Sequence, residues 1–315
     1  MNSYPALEND VAPVADGSTV PGHATTRLSV IIVNFNSGEL VTACVRSLLA
    51  YPGDVQVLVS DNGSRDGSIR YLKEEISDDR VQIRQNHENL GFSAGANRVL
   101  PEADGDLILF LNPDCLVKTD SLSEMVAFMN ANPDVGMSGC LIRNLDGSEQ
   151  PGCRRRVPTP WRTFVRVFHL GCVIKPSERF QPLYLHQTPL PEEPIDIEAI
   201  SGAFMLVRRK ALAGVGPLDA GYFLHCEDLD WCMRFRKQGW RIVFVPKVTI
   251  THAKGACSAA RPIRVEWHKH KGMIRFYRKF FREQYPLPLM LLVIAAVWAR
   301  FIVLTLTLMP RGSRV

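Results

Sequence analysis

Six short segments carry residue types that do chemistry on phosphates and hydroxyls. Asn34-Phe-Asn36 closes an apolar run with two amides. Ser60-Asp-Asn-Gly-Ser-Arg-Asp-Gly-Ser68 sets a carboxylate, Asp61, at the tip of a second run, with Asn62 beside it. A carboxylate at the end of a buried strand suits recognition of a nucleotide base or ribose. The same stretch is also good turn and cap chemistry, through Ser64 or Asp66. Asn89-Leu-Gly-Phe-Ser-Ala-Gly-Ala-Asn97 turns through Gly91 into a helix. The first N–H groups of that helix suit an anion, or the glycines serve only the turn. Leu111-Asn-Pro-Asp114 presents Asn112 and Asp114, a place for a divalent cation that bridges phosphates or for a plain turn. His225-Cys-Glu-Asp-Leu-Asp-Trp231 puts three acids in four residues at a helix start. The macrodipole favours acids there, and Asp228 is the candidate general base. Thr249-Ile-Thr-His-Ala-Lys-Gly255 leaves His252 at a strand exit.

These segments sit where elements should end. Leu28–Asn34, Val55–Asp61 and Leu107–Asn112 are continuous apolar, β-branched-rich runs, which predicts strands buried on both faces. Helical spacing covers 39–50, with Leu40, Cys44, Ser47 and Leu48 on one face, then 67–76, 93–100 and 120–130. A short strand is expected at 81–84. Repeated βα units predict an α/β fold with a mostly parallel sheet and helices on both faces. The site then lies off the carboxyl ends of the strands. Residues 151–194 are rich in Pro and Arg and lack periodicity, as in a long functional loop. A helix over 228–238 and a strand over 241–245 follow.

Composition narrows the classes. The 315 residues are 46% hydrophobic and 22% charged, with a formal net charge of +5. That is enough apolar material for a core, which excludes a wholly disordered chain. A polytopic membrane protein is excluded too, since only one long apolar run exists. The eight cysteines are scattered, with no Cys-x-x-Cys pair, so reduced thiols are expected rather than a zinc ribbon or disulfide scaffold. Residues 1–26 read as a disordered leader, and no basic-then-apolar signal peptide opens the chain. Residues 262–282 form a basic amphipathic helix, and 287–309 are almost wholly apolar apart from Arg300. That tail is long enough to span a bilayer. Arg300 in its middle would cost at least ~2.5 kcal/mol, so a surface or re-entrant hairpin competes with a crossing, and a buried soluble helix with both.

Taken in order, the segments resemble the family-2 inverting glycosyltransferases of the GT-A fold, in the rhamnosyltransferase-like branch. The resemblance runs from Leu28 to about Ser258 and includes Ile200-Ser-Gly-Ala-Phe204 and Glu227-Asp-Leu-Asp230. It implies a GT-A domain over 27–260, followed by a membrane-associating tail over 261–315. It implies that Asn34, Asn36, Asp61, Asn62, Asn89, Gly91, Asn97 and Asn112 line the nucleotide-sugar site. Asp114 would be the last acid of the metal motif, for Mg²⁺ or Mn²⁺, with His252 near the metal or diphosphate. Asn112 stands where the first acid of that motif often stands, which weakens the expected metal affinity. Asp228 would be the base that deprotonates the attacking hydroxyl, with inversion at the anomeric carbon. The Arg154-Arg155-Arg156 stretch and Glu227 would meet the acceptor.

The expected reaction moves a sugar, best read as L-rhamnose from dTDP-rhamnose, to a lipid-linked or glycan acceptor in cell-envelope polysaccharide synthesis. The expected location is the cytoplasmic face of the cell membrane, with no nucleic-acid partner. UDP-galactofuranose, UDP-glucose and GDP-mannose remain as other donors, and a non-catalytic membrane scaffold as a reading from another class. A Rossmann oxidoreductase is unlike this chain, because no Gly-x-Gly-x-x-Gly follows Val33.

Overall fold

The run Leu28–Asn34 forms a strand, β1, buried at every position, as a doubly covered strand requires. The computed structural model describes residues 26–167, 183–253 and 262–308. Apart from Thr26, the expected leader lies outside the described residues. After β1 come α1 (Leu40–Leu49), β2 (Val55–Asp61), α2 (Ser68–Glu75), β3 (Val81–Gln85), α3 (Phe92–Val99), β4 (Leu107–Leu111), β5 (Cys115–Val117), α4 (Thr119–Ala131) and β6 (Val135–Arg143). The arginine-rich loop holds β7 (Arg154–Arg155) and α5 (Pro160–Val167). Then follow β8 (Ile195–Asp196), β9 (Ala199–Ile200), β10 (Phe204–Arg208), α6 (Arg209–Val215), α7 (Glu227–Lys237), β11 (Arg241–His252), α8 (Pro262–Phe280) and α9 (Leu287–Leu308). On α1 the buried face is Val41, Thr42, Cys44, Val45 and Leu48, so Leu40 and Ser47 sit at its edge rather than at its centre.

The main sheet runs β3-β2-β1-β4-β10-β6-β11-β5, with β8 beside β11. Strands β1 to β4 are mutually parallel where they pair. The sheet is mixed rather than mostly parallel, because β10 runs antiparallel between β4 and β6 and β5 antiparallel to β11. The chain winds outward from β1 in both directions, so a crevice forms at the carboxyl ends of β1 and β4. Register places the chemistry there: Asn34 pairs with Asp61 across β1 and β2. Ile32 is level with Leu111, so Asn112 follows one step beyond.

Two packing features set the second half of the site. Trp231, wholly buried, meets Phe110 of β4 edge to face at 4.8 Å and donates its indole N–H to Gly216 O at 3.0 Å. Such an aromatic contact is worth ~0.5–1.5 kcal/mol beyond its burial, and it seats α7 against the sheet. β11 shifts register against β6 between Val245 and Thr249, around Pro246, which has no N–H for the ladder. Beyond the shift, the pairing of β11 with β5 sets His252 opposite Cys115.

Candidate active site

Where the sequence places a nucleotide, around Asn34 and Asp61, the polar residues satisfy one another. Asn34 Nδ2 donates to Asp61 Oδ1 (2.9 Å), Ser64 Oγ (3.1 Å) and Ser68 Oγ (3.0 Å), and Ser37 Oγ donates to Asn34 Oδ1. Ser64 N–H donates to Asp61 Oδ2 at 3.2 Å. Asn36 adopts φ 51°, a left-handed conformation that asparagine tolerates. From there its N–H reaches Ser64 Oγ and its Oδ1 accepts from Arg65 N–H. Asn62 donates to Gly91 O at 3.0 Å and accepts from Asn86; Asn89 Oδ1 accepts from Gly91 N–H. Asn34, Asp61 and Asn62 are all buried.

Two expected nucleotide-side residues have structural duties. Asn97 clasps Leu218 with both ends of its amide, at 2.7 and 3.2 Å, away from the Asn34–Asp61 cluster. Gly91 sits at φ 81°, and a Cβ there would lie 2.4 Å from Phe223 O. That same carbonyl accepts from Phe92 N–H at the start of α3, so this helix end is capped by the protein itself.

Asp114 and His252, 138 residues apart in sequence, meet at 3.0 Å between Oδ1 and Nε2. His252 is the last residue of β11. Its Nδ1 lies 2.7 Å from Gln150 Oε1, and Gln150 Nε2 donates to Asn144 Oδ1, which fixes the amide's orientation. Gln150 Oε1 therefore accepts from Nδ1–H, and Nε2 faces the Asp114 carboxylate. A divalent cation fits, with hard oxygen and imidazole ligands oriented from behind. Asn112 Nδ2 is 3.3 Å from Nε2 and adds a neutral amide where a second acid would bind more strongly. Cys115 lies within the same cluster. Burial, and then the Asp114 charge, push its thiol well above the usual range, so it stays protonated.

Asp228 opens α7. Its Oδ2 accepts from Gly202 N–H at 3.0 Å and from Arg155 Nη2, and its Oδ1 from Leu229 N–H at 2.8 Å. A Cβ on Gly202 would crowd Asp228 Oδ2 at 3.3 Å, which explains the glycine in Ser201-Gly-Ala203. The neighbouring Glu227 is buried and its Oε2 has no hydrogen-bond partner. Burial, followed by the Asp228 charge, pushes its carboxyl up to about 8. The preceding residues, His225 and Cys226, take φ 67° and 71°. Two consecutive left-handed non-glycines store about 1–3 kcal/mol each, a strain common at functional turns.

The three arginines part company, as alternation along β7 dictates. Arg154 is buried and bound to Glu149, Thr188 and Pro189. Arg156 faces Glu198 at 3.5 Å. Only Arg155 reaches Asp228. Spacing alone gave no sign of Gln150. Its one signal is that it heads the same loop, so residues 150–155 grip His252 at one end and Asp228 at the other. The six described cysteines are free and buried; Cys172 and Cys257 lie outside the described residues.

A sheet wound outward from β1, with a crevice at the carboxyl ends of β1 and β4 and a carboxylate–histidine pair beside it, is the GT-A glycosyltransferase fold. Residues 29–216 match the family model described as glycosyl transferase family 2, and the chain belongs to that family. It is 29% identical over 281 residues to an N-acetylglucosaminyl-diphospho-decaprenol L-rhamnosyltransferase of Mycobacterium tuberculosis, covering 80% of this chain and 84% of that one. It is 32% identical over 154 residues to the rhamnosyltransferase WbbL of Escherichia coli K12, covering 48% and 53%. In fold it resembles a mannosyltransferase of Pyrobaculum calidifontis solved with GDP-Man and Mn²⁺, with a TM-score of 0.56 and 19% identity over 87% of this chain and 70% of that one.

Proposed function

We propose that this enzyme transfers L-rhamnose from dTDP-rhamnose to a hydroxyl of a polyprenyl-diphosphate-linked sugar, at the cytoplasmic face of the membrane, in cell-envelope polysaccharide synthesis. The observation that carries the transferase chemistry is the single loop tying His252 through Gln150 and Asp228 through Arg155. The relatives' names support rhamnose as the sugar and a lipid diphosphate as the acceptor.

Asp114 and His252 would hold Mg²⁺ or Mn²⁺, with Asn112 beside them, and the ion would supply positive charge against the departing diphosphate. Asp61, with Asn34 and Asn36 fixing its turn, faces the base and ribose. Asp228 takes the proton of the acceptor hydroxyl. In this structure Arg155 occupies its Oδ2. An acceptor diphosphate competes for that guanidinium by charge-assisted bonds and leaves Oδ2 with only the Gly202 N–H, open to the acceptor hydroxyl. Glu227 keeps its proton at neutral pH and offers an unpartnered oxygen to a sugar hydroxyl. With one base and no second carboxylate as nucleophile, attack comes from the face opposite the leaving group and inverts the anomeric centre.

The test is calorimetry with a panel of nucleotide sugars, with and without Mn²⁺ or Mg²⁺. Metal-enhanced, selective binding of dTDP-rhamnose is expected. Selective binding of a UDP- or GDP-sugar overturns the rhamnose assignment and keeps the transferase. A folded sample that binds none of them overturns both.

A further inference from the structure

A long exposed apolar face and a basic stripe without salt-bridge partners among the described residues lie on one element pair, the hairpin of α8 and α9. The inner face of α9 is Met290, Val293 and Val297, buried at helical intervals. Its outer face exposes Leu287, Leu291, Leu292, Ile302, Val303 and Leu306. The helix is 22 residues long with mean hydropathy 2.5 over its best window, so by length it can span a bilayer. Its setting argues otherwise.

α8 runs antiparallel along the inner face of α9. Trp267 meets Trp298 at 5.0 Å and Phe301 at 5.6 Å, and Arg300 Nη1 lies 3.2 Å from His270 Nε2. The other side of α8 is fastened to the catalytic domain. Tyr277 OH meets Thr163 Oγ1 at 2.7 Å. Arg275 and Lys279 pair with Asp219 at 2.9 and 2.8 Å, and Lys279 with the wholly buried Asp230 at 2.6 Å. If α9 crossed the hydrocarbon, it would drag α8 and its ion pairs along, at ~2.5–3.5 kcal/mol or more for each charge at mid-depth. The hairpin as a unit, with an apolar outer face on α9 and cations along α8, has the division of an element that lies in the interface. Arg264, Lys271, Arg278 and Arg282 are exposed on α8 and just beyond it, with no salt-bridge partner among the described residues.

We infer that α8 and α9 form an in-plane lipid-binding hairpin. α9 beds its outer face into one leaflet of an anionic bilayer, the basic stripe lies on lipid phosphates, and the chain does not cross. Arg300 stays at the level of α8 through His270. This rests on the membrane association proposed above, but its test reads lipid binding and sidedness rather than sugar transfer, so the two readings can fail separately.

The full-length protein is floated with phosphatidylcholine vesicles, with and without phosphatidylglycerol. It should bind the anionic vesicles far better. The Lys271→Glu/Arg278→Glu variant should lose about tenfold or more in partitioning to them. Leu291→Glu/Leu306→Glu should stay in the aqueous fraction while keeping the wild-type melting curve. On sealed vesicles with the catalytic domain outside, a protease-cleavable tag after Val315 should be cut from outside. A protected tag shows a crossing and overturns the inference. Flotation indifferent to lipid charge and to these substitutions also overturns it, as does a lipid-indifferent dimer that covers the α9 face.

Discussion

The two sides of the crevice, proposed above to take the nucleotide and the acceptor, differ in how finished they are. On the nucleotide side, Asn34, Asn36, Asp61 and Asn62 are bonded to one another and to the turn they sit on, with Ser93 Oγ the one orphan in the neighbouring helix start among the described residues. On the acceptor side, Arg155 Nε, Arg156 Nε and Glu227 Oε2 are buried without partners, next to two strained residues. A buried polar atom left unpaired costs about 1–3 kcal/mol. The nucleotide side is therefore built to be rigid before anything binds. The other side holds free energy that an acceptor bound there would recover by supplying the missing partners.

That contrast can be broken or sharpened by four variants. Asp228→Asn should lower turnover about 10²-fold or more, as for a lost general base, with a near-normal melting curve. Single-turnover assays that find wild-type rates would remove Asp228 from its role. Asn34→Ala takes the partner from buried Asp61 and should cost about 2 kcal/mol or more of stability in urea. A variant as stable as the parent would mean the nucleotide side is not the rigid half. Gln150→Leu unfastens the His252 ring and should raise the Mn²⁺ concentration for half-saturation about tenfold, read by electron paramagnetic resonance of the free ion. Unchanged ion binding would show that Gln150 only fills space.

Glu227→Gln gives the smallest effect and a sign that can be worked out. The folded-state carboxyl is raised to about 8, so between the ordinary carboxyl range and pH 8 the folded protein holds a proton that the unfolded chain releases. Stability contributed by this group is full at acid pH and is lost as pH rises through about 8. The glutamine variant should melt a few degrees higher than the parent at pH 8.5, and the gap should close at pH 5. A gap of the opposite sign, or one that ignores pH, would show that Glu227 is not held protonated.

Much of this was readable from residues alone, for definite reasons. β1, β2 and β4 announce themselves as unbroken apolar runs, and α8 and α9 by strong periodicity and sheer apolar length. The ends of those strands led to Asp61, Asn112 and Asp114 directly. The antiparallel β10 was not readable, because Phe204–Arg208 passes straight into α6 with no turn signal and its place between β4 and β6 is decided by pairing far along the chain. The meeting of Asp114 with His252 depends on the β11–β5 register, which no local pattern encodes. Three adjacent arginines look equivalent as letters. Only their alternation on a two-residue strand singles out Arg155.

A contact at the base of α7 would limit which lipid-linked sugars the proposed reaction can elongate. Lys279 of α8 grips Asp230, two residues after Asp228, and Gly272 of α8 lets that helix approach His225 O so closely that a Cβ would lie 2.9 Å away. If the hairpin binds lipid as inferred, its basic helix α8 is bolted to the turn that carries Asp228. Asp228 would then stand at a set height above the bilayer, like the jaw of a caliper. Acceptors would be chosen by how far their hydroxyl rises from the membrane, so a glycan one residue longer or shorter presents its hydroxyl out of reach even when its chemistry is right.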